Sequence, residues 1–138
     1  MNKLLRILCV SAGMLTGTSF ASNVLPSGAQ IIAGDATIVN KDKTQLIVSS
    51  AERNVISWDD FSVGSENRVL FDNHQYLNLV HGSKASVIDG YIGTSGTSSS
   101  AFYLVNPNGI TLGKNGEIHA NRVVLSTSKI TEKTVNDF

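Results

Sequence analysis

The side chains able to do chemistry are scattered through this sequence rather than gathered. His74, His81 and His119 lack the spacing of metal ligands on any helix. The lone cysteine is Cys9, near the N-terminus. The histidines therefore read as surface or loop residues. Asp59 and Asp60 form a carboxylate pair, but neighbours in an extended chain point to opposite faces, which is poor geometry for glycoside hydrolysis. Trp58 and Phe61 beside them could stack on a sugar; covering the cap or an end of the fold is the plainer role for two large aromatics. No Gly-x-Ser-x-Gly elbow occurs, and no Ser/His/Asp set can be chosen by spacing. The polar run Thr94–Ser100 lacks the lysine of a phosphate-binding loop and reads as a coil excursion. No catalytic, cofactor or metal residue is nominated, and the chain reads as non-enzymatic.

The most distinctive stretch is Asn106-Pro107-Asn108-Gly109-Ile110. Pro107 fixes φ and removes an N–H, which biases Asn106 to an extended conformation and ends a strand there. Asn108-Gly109 supplies a turn, and both asparagine amides can bond nearby backbone. Ile110 then re-enters the core. Two roles fit this corner: a stabilised turn alone, or a turn that also presents a surface to a partner.

The elements that would hold it are strands. Candidates are Gln30–Ala33, Thr37–Val39, Gln45–Ser49, Asn54–Trp58, Arg68–Phe71, Ala85–Ile88, Phe102–Asn106, Ile110–Leu112 and Arg122–Ser126. No window carries a sustained helical apolar stripe, and turn dipeptides such as Asp89-Gly90 and Asn115-Gly116 punctuate the runs. An all-β fold follows, either an antiparallel sandwich or a parallel β-helix. The second half repeats a short strand, a Gly or Asn corner and another short strand, which favours the β-helix. Asn108-Gly109 and Asn115-Gly116 could each turn a corner at positive φ, although Asn-Gly serves hairpins equally well. Ala101–Val105 is apolar on successive residues, which requires cover on both strand faces. A neighbour laid outside the helix, or a sandwich core, would supply it.

Charge narrows the partners. Eleven Lys plus Arg balance eleven Asp plus Glu, which argues against nucleic acid or an anionic membrane surface as a partner. Charged residues at 16% and hydrophobic ones at 41% do not describe a disordered chain. Residues 1–21 resemble a secretory leader: Lys3 and Arg6 precede an apolar segment, and Ser19-Phe20-Ala21 places small residues for cleavage between Ala21 and Ser22. Ser11, Gly13 and Thr16 to Ser19 dilute this segment below a spanning helix. Cleavage would remove Cys9 with two basic residues, leaving a cysteine-free, weakly acidic chain with no stable membrane insertion. Export to the periplasm and beyond, to the surface or the medium, is expected, with Ser22 as the mature N-terminus.

Phe102-Tyr103-Leu104-Val105-Asn106-Pro107-Asn108-Gly109-Ile110-Thr111-Leu112-Gly113 resembles the signature of the two-partner secretion domain, the N-terminal haemagglutination-activity region of filamentous haemagglutinin-like exoproteins. Asn54 to Gly64, with Trp58 three residues before Phe61, resembles an upstream block of that family. Ile88–Ile92, Glu117–Asn121 and Val124–Ser128 resemble its later blocks, in the family's order. The resemblance implies a right-handed parallel β-helix with an N-terminal cap and extra-helical strands. It implies a secretion address that an outer-membrane β-barrel transporter reads through its periplasmic domains, with Asn106 to Ile110 as candidate recognition residues. A stand-alone surface adhesin or carbohydrate-binding β-helix is the alternative, with a host glycan or receptor as partner, as is a non-functional truncated fragment. Family domains are longer, so residues 22–138 are expected to form a partial domain. Lys129–Phe138 is mostly polar with no sustained apolar pattern, so nothing after Val124-Leu125 resembles a cap. Self-association through the C-terminal end is the consequence expected.

Overall fold

The computed structural model describes residues 23–96 and 99–138. The expected leader and its Ala21–Ser22 junction lie outside the described residues, as do Thr97 and Ser98 of the polar run. The strands are β1 (Gln30–Ala33), β2 (Thr37–Lys41), β3 (Thr44–Val48), β4 (Arg53–Trp58), β5 (Arg68–Phe71), β6 (Gln75–Val80), β7 (Ser86–Ile88), β8 (Tyr91–Thr94), β9 (Ala101–Val105), β10 (Ile110–Leu112), β11 (Glu117–His119) and β12 (Arg122–Ser126). A short helix, α1 (Glu132–Asn136), follows.

The strands wind into a parallel β-helix. One face stacks β4, β6, β9 and β12, placing Asn54, Tyr76, Phe102 and Val123 in one row. A second stacks β3, β5, β8 and β11, with Gln45, Val69, Ile92 and Ile118 in line. The third pairs β7 with β10, and Val63 bridges to Ile88 from the coil before. A coil of roughly 20–25 residues is the repeat size expected of a solenoid. β1 pairs antiparallel with β4 and β2 antiparallel with β3, so two strands running against the winding cap the N-terminal end. The sandwich alternative is thereby excluded.

Period-two alternation sends one residue set inward. Ile47, Ile56, Trp58, Phe61, Phe71, Tyr76 and Phe102 meet inside and are essentially fully buried. Phe71 packs 4.7 Å from Tyr76 and 5.5 Å from Phe102, ring centre to ring centre. Trp58 and Phe61 meet edge to face at 5.4 Å. Their burial removes the sugar-stacking reading; both lie inside the core in the first coil, beside the N-terminal cap strands. The opposite residue set on β4, β6 and β9 is apolar as well. Val55, Leu77, Leu79 and Val105 form an outer cluster, covered by Ile130, Val135 and Phe138 from the C-terminal segment. This explains the unbroken apolar run of β9, with Phe102 and Leu104 facing in and Tyr103 and Val105 facing out. The cover ends in a helical turn rather than a strand, and the mostly polar Lys129–Phe138 supplies it through three apolar side chains.

Tyr76 is fully buried and donates its hydroxyl to Asp72 at 2.5 Å. Burial, then the hydrogen bond and charge of Asp72, push its phenol above the ordinary 10.0. The folded state therefore holds this proton more tightly than the unfolded one. That stabilisation is fully present below pH 10.0 and is lost as pH rises further. Stability should fall above that pH, and Tyr76→Phe should reduce the slope. Equal slopes in denaturant titrations would count against this account.

At the other end the parallel ladders stop at β10, β11 and β12. Val123 and Leu125, aligned with inward Phe102 and Leu104, are 39% and 41% exposed. Unpaired strand edges beside exposed apolar side chains are a template for association. A polypeptide of residues 22–138 is expected to self-associate through this end, and Leu125→Lys to reduce it. Light scattering that finds a monomer at all concentrations would refute the expectation.

Candidate functional site

The corner between β9 and β10 is built around one buried amide. Asn106 has no exposed surface. Its Nδ2 donates to the Lys84 carbonyl and to Ser86 Oγ, both at 3.0 Å. Its Oδ1 accepts from the Asn108 backbone N–H at 2.9 Å and from Asn108 Nδ2 at 3.1 Å. The Asn106 backbone N–H donates to Ser126 at 2.9 Å, extending the ladder one residue beyond β9. One side chain thus ties its own turn to the preceding coil. A buried polar group is tolerated when its partners are supplied in this way.

The turn closes with Gly109 N–H donating to the Asn106 carbonyl at 3.0 Å. Pro107 takes the position that its fixed φ favours, and the Asn106 side chain adds an Asx-type bond two residues on. Gly109 sits at φ 116, where an L side chain is strained, as Asn-Gly predicts. At Asn115-Gly116 the expectation of positive φ is corrected. Gly116 is absent from the left-handed region, and its need is space, since a Cβ there would lie 2.2 Å from the Ile88 carbonyl oxygen.

Pro107 and Asn108 are exposed at the tip, while Gly109 and Ile110 are half-buried and Ile110 packs on the core. Asn108 Nδ2 also donates to the Gly82 carbonyl at 2.8 Å. The corner is thus bolted to the equivalent corner of the coil before. Val80, His81, Gly82, Pro107, Asn108, Lys129 and Ile130 line a depression of about 320 Å³ beside it. The motif therefore divides into a buried lock, Asn106, an exposed tip, Pro107-Asn108, and a return, Gly109-Ile110.

Other residues singled out from sequence lie apart. His74 faces Asp72 at 2.9 Å, His81 faces Ser57 at 2.7 Å, and His119 stacks on Tyr91 beside Glu117. No cluster that could hold a metal occurs among the described residues. The backbone N–H groups of Asp59 and Asp60 both donate to the Ser27 carbonyl, which ties that corner to the N-terminal segment.

Sequence reasoning missed a set of buried asparagines doing what Asn106 does. Asn54 donates to the Ala51 carbonyl at 3.0 Å. Asn67 accepts from Val24 N–H at 3.1 Å and donates to Lys43 at 3.2 Å. Asn78 accepts from Trp58 Nε1 at 2.9 Å and donates to the Tyr103 carbonyl at 3.1 Å. The available signal was a short amide inside or beside an apolar run, as in Tyr76-Leu77-Asn78-Leu79-Val80.

Comparison with known proteins agrees with this architecture. A family model described as the TPS secretion domain matches residues 22–138. The crystal structure of the HMW1 secretion domain from Haemophilus influenzae is similar, with a TM-score of 0.72 and 26% identity. The alignment covers 81% of this chain and 30% of that one. A search of curated proteins finds no match. Among the described residues no helix is long and apolar enough to cross a membrane. With its β-helix, its capped N-terminal end and a family match over residues 22–138, the chain belongs to the two-partner secretion (TPS) domain family, which implies a secretion-address role and export.

Proposed function

We propose that the chain is the address by which an outer-membrane β-barrel transporter, through its periplasmic domains, selects an attached exoprotein for export. The reading includes an N-terminal leader cleaved between Ala21 and Ser22, which delivers the chain to the periplasm where those domains lie. The observation that carries it is the division of labour at the corner. A fully buried Asn106 fixes the backbone, and the exposed Pro107-Asn108 tip is held by bonds to two coils. A rigid, preformed tip loses little conformational entropy when a partner seats on it. No chemistry is asked of the site; recognition needs only shape and the Asn108 side-chain oxygen, since its Nδ2 already donates to Gly82 and Asn106.

Asn108→Ala tests this directly. The side chain is exposed and makes two hydrogen bonds, so its loss costs roughly 1–3 kcal/mol and leaves the fold in place. Export through a matched transporter should drop several-fold while far-UV dichroism stays β-type. Undiminished export of the folded variant would reduce the corner to a structural turn.

A further inference from the structure

We propose that the outer face of the sheet formed by β4, β6 and β9 is a second docking strip for the same transporter domains. In the free chain its C-terminal segment masks that strip. This inference rests on the secretion-address reading and extends its surface beyond the corner. Val55, Leu77 and Tyr103 lie in one outward row across three successive coils, and Leu79 and Val105 in the next. Together they make a continuous apolar strip along the helix axis.

The cover on this strip is weakly attached. Ile130, Val135 and Phe138 pack on it, with Phe138 edge to face on Tyr103 at 5.2 Å. The hydrogen bonds described for residues 127–138 stay local. Ser128 N–H reaches Ser126, Thr134 N–H reaches Thr131, Asp137 N–H reaches Lys133, and Phe138 N–H reaches Val135. The helix α1 has no buried residue, and so short a helix does not sustain itself. Three apolar side chains therefore hold the segment down. A unit with few buried contacts and internal hydrogen bonds opens well below the cost of global unfolding.

Its base adjoins the corner. Lys129 and Ile130 share the depression lined by Pro107 and Asn108, so a partner seated on the tip meets Ile130 and can peel the segment from the strip. The occupant that fits is an amphipathic segment of the transporter's periplasmic region offering two aliphatic side chains and one aromatic ring, because that is the chemistry now seated there. The C-terminal segment acts as an intramolecular competitor.

The test is calorimetric titration of the exported chain with the purified periplasmic domains of its transporter. A Val135→Ser, Phe138→Ala double variant loosens the cover and leaves the corner intact; Val135→Ser alone serves if the double variant misfolds. Affinity should rise at least threefold. Unchanged or weaker binding by the folded variant would overturn the proposal. Asn108→Ala in the same titration separates the two readings. If it loses affinity while the loosened variants match the parent, the masked strip fails and the corner stands. If Asn108→Ala binds normally while the loosened variants bind more tightly, the corner fails and the strip is supported. A parent chain that is dimeric, with loosened variants monomeric, would assign the strip to a second copy and overturn the proposal.

Discussion

Phe102→Ala is expected to lower stability by about 3–5 kcal/mol, the range for truncating a buried aromatic. Phe102 has no exposed surface. Its ring lies 5.8 Å from Phe61 and 5.5 Å from Phe71, and its backbone row joins Tyr76 to Val123. The cavity would therefore open on residues from the first two coils at once. Parallel coils bury their faces only against one another, so a void at one level weakens the interfaces on both sides. Because a whole domain holds only about 5–15 kcal/mol, the variant should lose a large fraction of its stability and unfold at a markedly lower denaturant concentration. Urea denaturation measures it, and a loss under about 1 kcal/mol would mean that the core relaxes in a way this packing does not allow.

Asn106→Ala should cost about 2–4 kcal/mol, since it strands the buried Ser86 Oγ, at roughly 1–3 kcal/mol, and removes bonds to two partly buried backbone groups. The Lys84 carbonyl and Ser86 Oγ would lose a donor, and the Asn108 N–H would lose its acceptor. Asn106→Asp is the sharper companion. It keeps the acceptor for Asn108 but replaces a donating NH2 with a carboxylate oxygen facing the Lys84 carbonyl, and it should be at least as harmful. Both variants should also abolish export, because the tip loses its anchor. A stable Asn106→Ala protein with normal thermal unfolding would show that the amide network is dispensable.

Much of this architecture was legible in the residues. Short β-branched runs separated by Gly and Asn corners indicated strands, and the ordered motif blocks indicated the β-helix. Strand β6 was not among the strands anticipated from sequence. Tyr76-Leu77-Asn78-Leu79-Val80 shows no alternation because both faces are covered, and Asn78 looks like a breaker until its bonds to Trp58 and Tyr103 are seen. The C-terminal helical turn was hidden for a related reason. Ile130, Val135 and Phe138 are too few and too widely spaced to make a helical stripe, and their meaning comes from the strip beneath. At the corner the residue types were informative, and the split between buried Asn106 and exposed Pro107-Asn108 was not. Burial of an amide depends on which coil passes behind it, and that is a property of register.

If the chain is a secretion address, the Pro107-Asn108 tip touches the transporter during export. A photo-crosslinking residue placed at position 107 tests it most directly, with one at position 48 as control, since Val48 is 50% exposed on the separate sheet containing β3. During export a covalent adduct with the transporter's periplasmic domains is expected from position 107 and little from position 48. An adduct from position 48 with none from position 107, in chains that are folded and exported, would contradict it.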